Sequence, residues 1–462
     1  MTDQALPLWT ADEIALATAG SASAPFNATG VSIDTRTLEP GDLFVALSRA
    51  RDGHEFVSQA MAKGASGVLA SRPVEAPHVL VRDVFAGLED LGRAARSRAA
   101  GAACAAVTGS VGKTSVTQAI GACLAAAGHG HASVKSYNNH IGVPLTLARM
   151  RRDTRRGVFE IGMNHSGEIT PLTRMVKPKV AVVTTVGPVH IENFPDGEIG
   201  VARAKAEIFD GLEPGGLAVL NADNVWFDLL AAAARAKDAE LARFGVGAGC
   251  DARLLDLTPD GEGQIARAEV RGRPVTIRLA QSGAHWGPNA LMVLLATEAL
   301  GVDRELALDV LAGFGPLSGR GAVRMVATPG GAYTLVDESY NANPVSMAAV
   351  IAALGARPTA GRRILALTDM LELGVDGPKL HAELAEAVDA ARVDLVYCAG
   401  PLMRSLWDVL PADRRGGYAM EVDALARELK SAVQAGDVVV VKGSNGSRAS
   451  RIVDVLVGQE GR

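Results

Sequence analysis

Apolar positions along this chain follow two rhythms. Short β-branched runs bounded by Gly or Pro occur at 157–161, 180–186 and 217–221. That pattern predicts strands buried on both faces. Between them lie longer stretches with helical spacing, at 115–127, 198–210 and 288–300. Strand and helix in alternation imply a mostly parallel sheet with helices on both faces. Ahead of this block, residues 1–98 carry short strand signals at 30–33, 43–46, 67–70 and 78–81, with little helix punctuation until 85–99. Behind it, a more polar section at 252–279 reads as antiparallel. The run Gly313-Phe314-Gly315-Pro316-Leu317-Ser318-Gly319-Arg320 then reads as a hinge. Alternation resumes beyond it, with strands predicted at 333–337, 364–368, 395–398 and 438–442 and helices at 345–354, 379–391 and 422–435. The expected fold is α/β in three domains, at 1–98, 99–318 and 319–462, the last Rossmann-like.

A chain of 462 residues is too long for one core, which agrees with several domains. A net charge of −5 with no basic tail or stripe gives no electrostatic footprint for nucleic acid. The four cysteines are far apart and form no CxxC pair, so neither a disulfide framework nor a zinc cage is expected. The N-terminus has no basic-then-apolar leader, and no apolar run approaches a membrane span. A cytoplasmic protein without membrane insertion is the expectation, and no symmetric interface is evident, so a monomer is expected.

The strongest chemical signal is Val107-Thr108-Gly109-Ser110-Val111-Gly112-Lys113-Thr114. It follows the apolar run 104–107 and precedes a helix pattern, giving strand, glycine loop and helix. Glycines let backbone N–H groups turn inward around a phosphate, and the helix N-terminus adds partial positive charge. Lys113 can reach terminal phosphates, and the Thr114 hydroxyl can ligate magnesium. Val107 stands where the commoner nucleotide loop has a glycine.

Other positions admit two readings each. Glu160 and His190 follow predicted strands, so both should emerge at the carboxyl edge, where ligands bind. Each is a metal ligand or an ordinary strand-end residue. Lys205 reads as a solvated helix lysine on sequence alone. Asn289 either reads an adenine edge or caps a helix. Arg320 is a linker residue or a guanidinium that swings onto a phosphate when two domains close. Asp337 leads a polar run, Asp337-Glu338-Ser339-Tyr340-Asn341-Ala342-Asn343-Pro344, that leaves a strand and enters a helix.

Together these strings resemble the Mur ligase family, the ATP-dependent amide-forming enzymes of peptidoglycan synthesis. The resemblance covers nearly the whole chain. It rests on Ser32-Ile33-Asp34-Thr35-Arg36, the glycine loop, Tyr137-Asn138-Asn139-His140-Ile141-Gly142, Glu160-Ile161-Gly162 and Ala204-Lys205-Ala206-Glu207. Tyr340-Asn341-Ala342-Asn343-Pro344, Asp369-Met370-Leu371-Glu372-Leu373-Gly374 with His381, and Lys442-Gly443-Ser444 add to these. The late strings favour the branch that joins D-alanyl-D-alanine to UDP-N-acetylmuramoyl-tripeptide through an acyl phosphate. The Asp-Asn-Pro-Arg run of the neighbouring tripeptide-forming branch is missing.

The resemblance implies a role for each position. Gly109, Ser110, Val111, Gly112 and Lys113 would wrap the ATP phosphates. Thr114 and Glu160 would hold one Mg²⁺, His190 a second, and Lys205 would be carbamylated beside it. Asn289 would read adenine, Arg320 touch the phosphates and Asp337 the ribose or the hinge-closed nucleotide. Ser32, Thr35 and Arg36 would lie near the UDP moiety, making residues 1–98 a UDP-sugar-binding domain. Asn138 and Asn139 would lie near the muramyl-peptide channel. Trp286 stands where the family's adenine-site pattern has Asn. Three other readings of the phosphate loop stay open at this point: a sibling ligase, a P-loop switch or motor ATPase, and a kinase.

Overall fold

A computed structural model describes residues 7–49, 51–134, 136–189, 191–261 and 263–458. Three large sheets succeed one another along the chain, with a small antiparallel pair, Trp9–Thr10 with Asn27–Ala28, ahead of the first. The first sheet runs Ser21–Ala22, His78–Leu80, Gly67–Ala70, Asp42–Val45, Gly30–Ser32, and is parallel except at its first pairing. Residues 1–98 hold more helix than expected. Ala11–Thr18 is helical, and Thr10 and Glu13 form its reciprocal capping box. A second helix, Val57–Ala62, was also absent from the sequence pattern.

The central sheet has nine strands. Its parallel part runs Gly130–Ala132, Arg156–Glu160, Ala103–Thr108, Val180–Val183, Leu217–Asn221, Glu240–Gly245. Ala252–Asp260 joins it in parallel, and Gly263–Val270 and Arg273–Leu279 then extend it antiparallel, where the polar section predicted it. The strand Ala103–Thr108 shows why this sheet is central. Its side chains alternate, so Cys104 and Ala106 face one core while Ala105 and Val107 face another. Helix Val84–Arg98 packs on Gly142–Ala148, so the first core is continuous with the N-terminal sheet. The buried Arg96 ties the same helix down, donating to the carbonyls of Val176 at 2.7 Å and Ala99 at 3.0 Å. The opposite core is filled by Lys113–Ala126 and Trp286–Ala299.

The third sheet runs Ala322–Thr328, Gly331–Glu338, Val438–Lys442, Arg363–Thr368, Leu395–Ala399, Arg415–Ala419, parallel beyond its first pair. The four valines at 438–441 alternate between two cores, so a sheet covered on both faces reads as a continuous apolar run. Two predicted helices are interrupted. The stretch 379–391 is split into Gly377–Ala382 and Leu384–Ala390, and 198–210 is α-helical only through Ala206 before continuing as 3₁₀ helix. No helix among the described residues is long and apolar enough to cross a membrane.

Candidate active site

The carboxyl ends of the central strands open into a cleft of about 630 Å³, closed on its far side by loops of the third sheet. Strand Ala103–Thr108 delivers the glycine loop to its floor. Gly109 has φ +149°, and a Cβ there would sit 1.9 Å from Thr184 Oγ1, so only glycine fits. Gly112 has φ +82° and caps helix Lys113–Ala126 with no side-chain hydrogen bond. The first N–H groups of that helix therefore keep their donors for an anion. Ser110 fixes the loop: its Oγ donates to Gly187 O at 2.9 Å and accepts from Gly187 N at 3.0 Å. Thr184 Oγ1 holds Val111 by donating to its carbonyl at 2.5 Å.

Lys113 folds back, its Nζ donating to Gly109 O at 2.6 Å. Enclosure lowers its pKa, opposed by the Glu160 carboxylate and aided by the Arg320 guanidinium. Glu160 is 1 % exposed, paired in register with Val107 at the strand end. Its Oε1 accepts from Asn138 Nδ2 at 2.7 Å, while its Oε2 is buried with no hydrogen-bond partner. A buried carboxylate oxygen without a donor is costly. The buried Thr114 lines the same cleft as Glu160, and these oxygen donors suit a hard cation such as Mg²⁺. Among the described residues there is no cluster of three or more His, Cys, Asp or Glu side chains that would hold a metal alone. The arrangement therefore fits an ion shared with substrate oxygens rather than a closed protein cage.

Lys205 is 3 % exposed, and burial together with the Lys113 charge holds its amine well below the ordinary lysine range. The solvated-helix reading of this residue is corrected. It sits in the last turn of Glu198–Ala206, buried with Ala204 and near enough to Lys113 to feel its charge, though it does not line the cleft itself. Asn289 is buried on the first turn of Trp286–Ala299 and reaches the loop, with its Oδ1 3.5 Å from where a Gly112 Cβ would stand. Trp286 is also buried, packed on Phe314 with ring centroids 5.9 Å apart.

The expected residues are not all brought together. Lys113, Thr114, Asn138, Glu160, Asn289 and Arg320 line one cleft. Asp337 does not line it. Its Oδ1 accepts from Ser339 N at 3.1 Å and Oγ at 2.6 Å, and its Oδ2 accepts from Gly319 N at 3.1 Å. Its carboxylate thus staples the hinge to the third sheet. Asn139 Oδ1 caps helix Gly142–Ala148, accepting from Ile141 N at 3.1 Å and Gly142 N at 2.9 Å. Ser32, Thr35 and Arg36 lie apart at the N-terminal sheet. Thr35 Oγ1 donates to Gln59 Oε1 at 2.9 Å, and the exposed Arg36 pairs with Asp34 at 2.6 Å. His190 lies outside the described residues.

Lys442, Glu338, Ser136 and Tyr340 line the cleft as well. Lys442, 3 % exposed, ends the valine strand; its Nζ donates to Asn341 O at 2.8 Å and lies 3.7 Å from Glu338 Oε2. Burial raises the Glu338 pKa, against the pull of Lys442 and Arg320. The signal for Lys442 was present: a lysine directly after four valines must emerge at a carboxyl edge. Nothing in the pattern marked Ser136 or Tyr340 as partners, because they lie 204 positions apart and meet only across the cleft.

A phosphate loop, a buried acid and a facing α/β sheet define a nucleotide-dependent enzyme with a two-sided cleft. The family model described as Mur ligase middle domain matches residues 107–297, and the one described as Mur ligase, glutamate ligase domain matches 323–445. The chain belongs to the Mur ligase family of ATP-dependent ligases.

Within that family the likeness runs along the MurF branch. A UDP-N-acetylmuramoyl-tripeptide–D-alanyl-D-alanine ligase of Escherichia coli is 33% identical, over 92% of this chain and 93% of its own. The ligase of the same name from Rickettsia prowazekii is 30% identical, over 97% and 99%. The crystal structure of MurF from Acinetobacter baumannii superposes with a TM-score of 0.83 at 25% identity, covering 97% of this chain and 99% of that one. MurF ligase from Thermotoga maritima in complex with ADP gives 0.75 at 25% identity, covering 93% and 97%.

Proposed function

We propose that this protein joins D-alanyl-D-alanine to UDP-N-acetylmuramoyl-tripeptide at the expense of ATP. What carries the reading is the shared cleft, in which the phosphate loop faces the loops of a second α/β unit. Full-length likeness to ligases of that name supports the substrate pair.

A carboxylate is a poor acylating agent because oxide is a poor leaving group. Transfer of the ATP terminal phosphoryl group to the tripeptide carboxylate gives an acyl phosphate, which the dipeptide amine attacks with loss of phosphate. Lys113 and the loop N–H groups stabilise charge on the moving phosphoryl group. Arg320 adds a guanidinium from the hinge side. Asn289 orients the base. Closure of the third sheet over the cleft keeps water from the acyl phosphate.

Thr114 and Glu160 would hold a magnesium ion, which when bound neutralises phosphate charge. Burial lowers the Lys205 pKa and so favours the neutral amine, the state that CO₂ carbamylates; a carboxylate-like Lys205 would then suit a second ion together with His190. Ser32, Thr35 and Arg36 receive the UDP end, and Asn138 and Asn139 border the peptide. The protein works as a cytoplasmic monomer. Mass spectrometry of the product is the test: the expected species is heavier than the tripeptide by one D-alanyl-D-alanine less water. A phosphorylated tripeptide as the stable end product would make it a kinase instead.

A further inference from the structure

Tyr340 touches both sides of the cleft. Its ring lies under the Arg320 guanidinium, 4.1 Å from ring centroid to Cζ. Its hydroxyl meets Ser136 Oγ in a hydrogen bond, and Ser136 belongs to the central unit, two residues before the Asn138 that holds Glu160. The hinge is pressed against the same residue. Tyr340 N donates to Gly319 O at 3.1 Å, and a Cβ on Gly319 would lie 3.0 Å from Tyr340 Cβ.

Among the described residues no carboxylate lies within ion-pair distance of the Arg320 guanidinium; Glu338 attracts it from further off, and the Tyr340 face is what touches it. A guanidinium held by a ring keeps its N–H donors, whereas one held by a carboxylate spends them.

We infer that Tyr340 is a positioning residue that places Arg320 only when the central and C-terminal units are closed, through its hydroxyl bond to Ser136. Open, the hydroxyl loses Ser136, the ring is no longer anchored to the central unit, and the arginine is free with the hinge. Closed, three elements converge: the hinge with Arg320, the loop after Gly331–Glu338 with Tyr340, and the loop before Asn138 with Ser136. The phosphoryl-transfer arginine is thus set by the same contact that shuts out water. The inference rests on the proposed phosphate role of Arg320.

The experiment is a set of double-mutant cycles read by steady-state kinetics on the full-length enzyme. The variants are Tyr340→Phe, Tyr340→Leu, Ser136→Ala and Arg320→Gln. Tyr340→Phe keeps the ring and removes only the hydroxyl. It and Ser136→Ala should each lower kcat about threefold to tenfold with KM for ATP within about twofold, and the pair together should cost no more than one alone. Tyr340→Leu should lower kcat about 100-fold, and should cost little further in an Arg320→Gln background. Additive losses in either cycle overturn the inference, since independent residues do not share a task. Should Tyr340→Leu lose its fold, the Tyr340→Phe and Ser136→Ala cycle decides alone. If Arg320→Gln turns over like the parent, the phosphate role of Arg320 fails; if it is impaired while the Tyr340 variants are not, only the positioning inference fails.

Discussion

The Asn138 amide donates to Glu160 Oε1 at 2.7 Å and leaves Oε2 of the same carboxylate buried and unpaired. One oxygen is fixed, and the other is free to face a ligand. Asn138→Leu should therefore raise the magnesium concentration for half-maximal activity by about tenfold, the usual effect of removing the group that orients a ligating carboxylate. A magnesium titration checks this. An unchanged midpoint would separate Asn138 from the metal.

Lys113 is held at the mouth of the helix by its bond to Gly109 O. Lys113→Ala should cut ADP formation by about 100-fold or more, with the thermal midpoint close to that of the parent. Coupled ADP detection and a melting curve test both halves. Undiminished turnover would remove Lys113 from the phosphate site.

Burying an amine costs stability through lost hydration. Lys205→Met replaces the 3 % exposed side chain with an apolar one of similar length. In metal-free, CO₂-depleted buffer the variant should melt at or above the parent temperature while losing turnover by about 100-fold or more. A variant that melts lower and remains active would mean Lys205 serves the fold alone.

His381 gives a pH signature. It is wholly buried, donates from Nδ1 to Gly377 O at 2.6 Å and accepts at Nε2 from Met370 N at 2.9 Å. Burial lowers its pKa below the ordinary 6.5. Between the two values the unfolded chain binds the extra proton, so the His381 contribution is full above 6.5 and is lost as pH falls through the folded value. His381→Gln can make both bonds without titrating. Between pH 7.5 and pH 5 the urea midpoint should fall less in the variant than in the parent. Equal falls would place the acid sensitivity elsewhere.

Much of this was legible before the fold. The valines 438–441, the run 217–221 and the glycine loop are local patterns whose period or φ requirement leaves little choice. Helix Ala11–Thr18 was not predicted: its weak apolar stripe concealed it, although Thr10 and Glu13 carry its capping box. The burial of Lys205 was not legible. A single lysine in a short alanine-rich helix reads as solvated, and only the packing of Glu198–Ala206 turns it inward. Asp337 shows the opposite case. The family resemblance implied a nucleotide contact, yet both oxygens are taken by the hinge and Ser339. Pairings such as Ser136 with Tyr340 depend on two units meeting, which no local period encodes.

The most direct test of the ligase reading is phosphate release with ATP, magnesium, UDP-N-acetylmuramoyl-tripeptide and D-alanyl-D-alanine, each left out in turn. The predicted result is release that requires all of them. Release that continues unchanged without the dipeptide would contradict the ligase assignment, while leaving the phosphate loop in place.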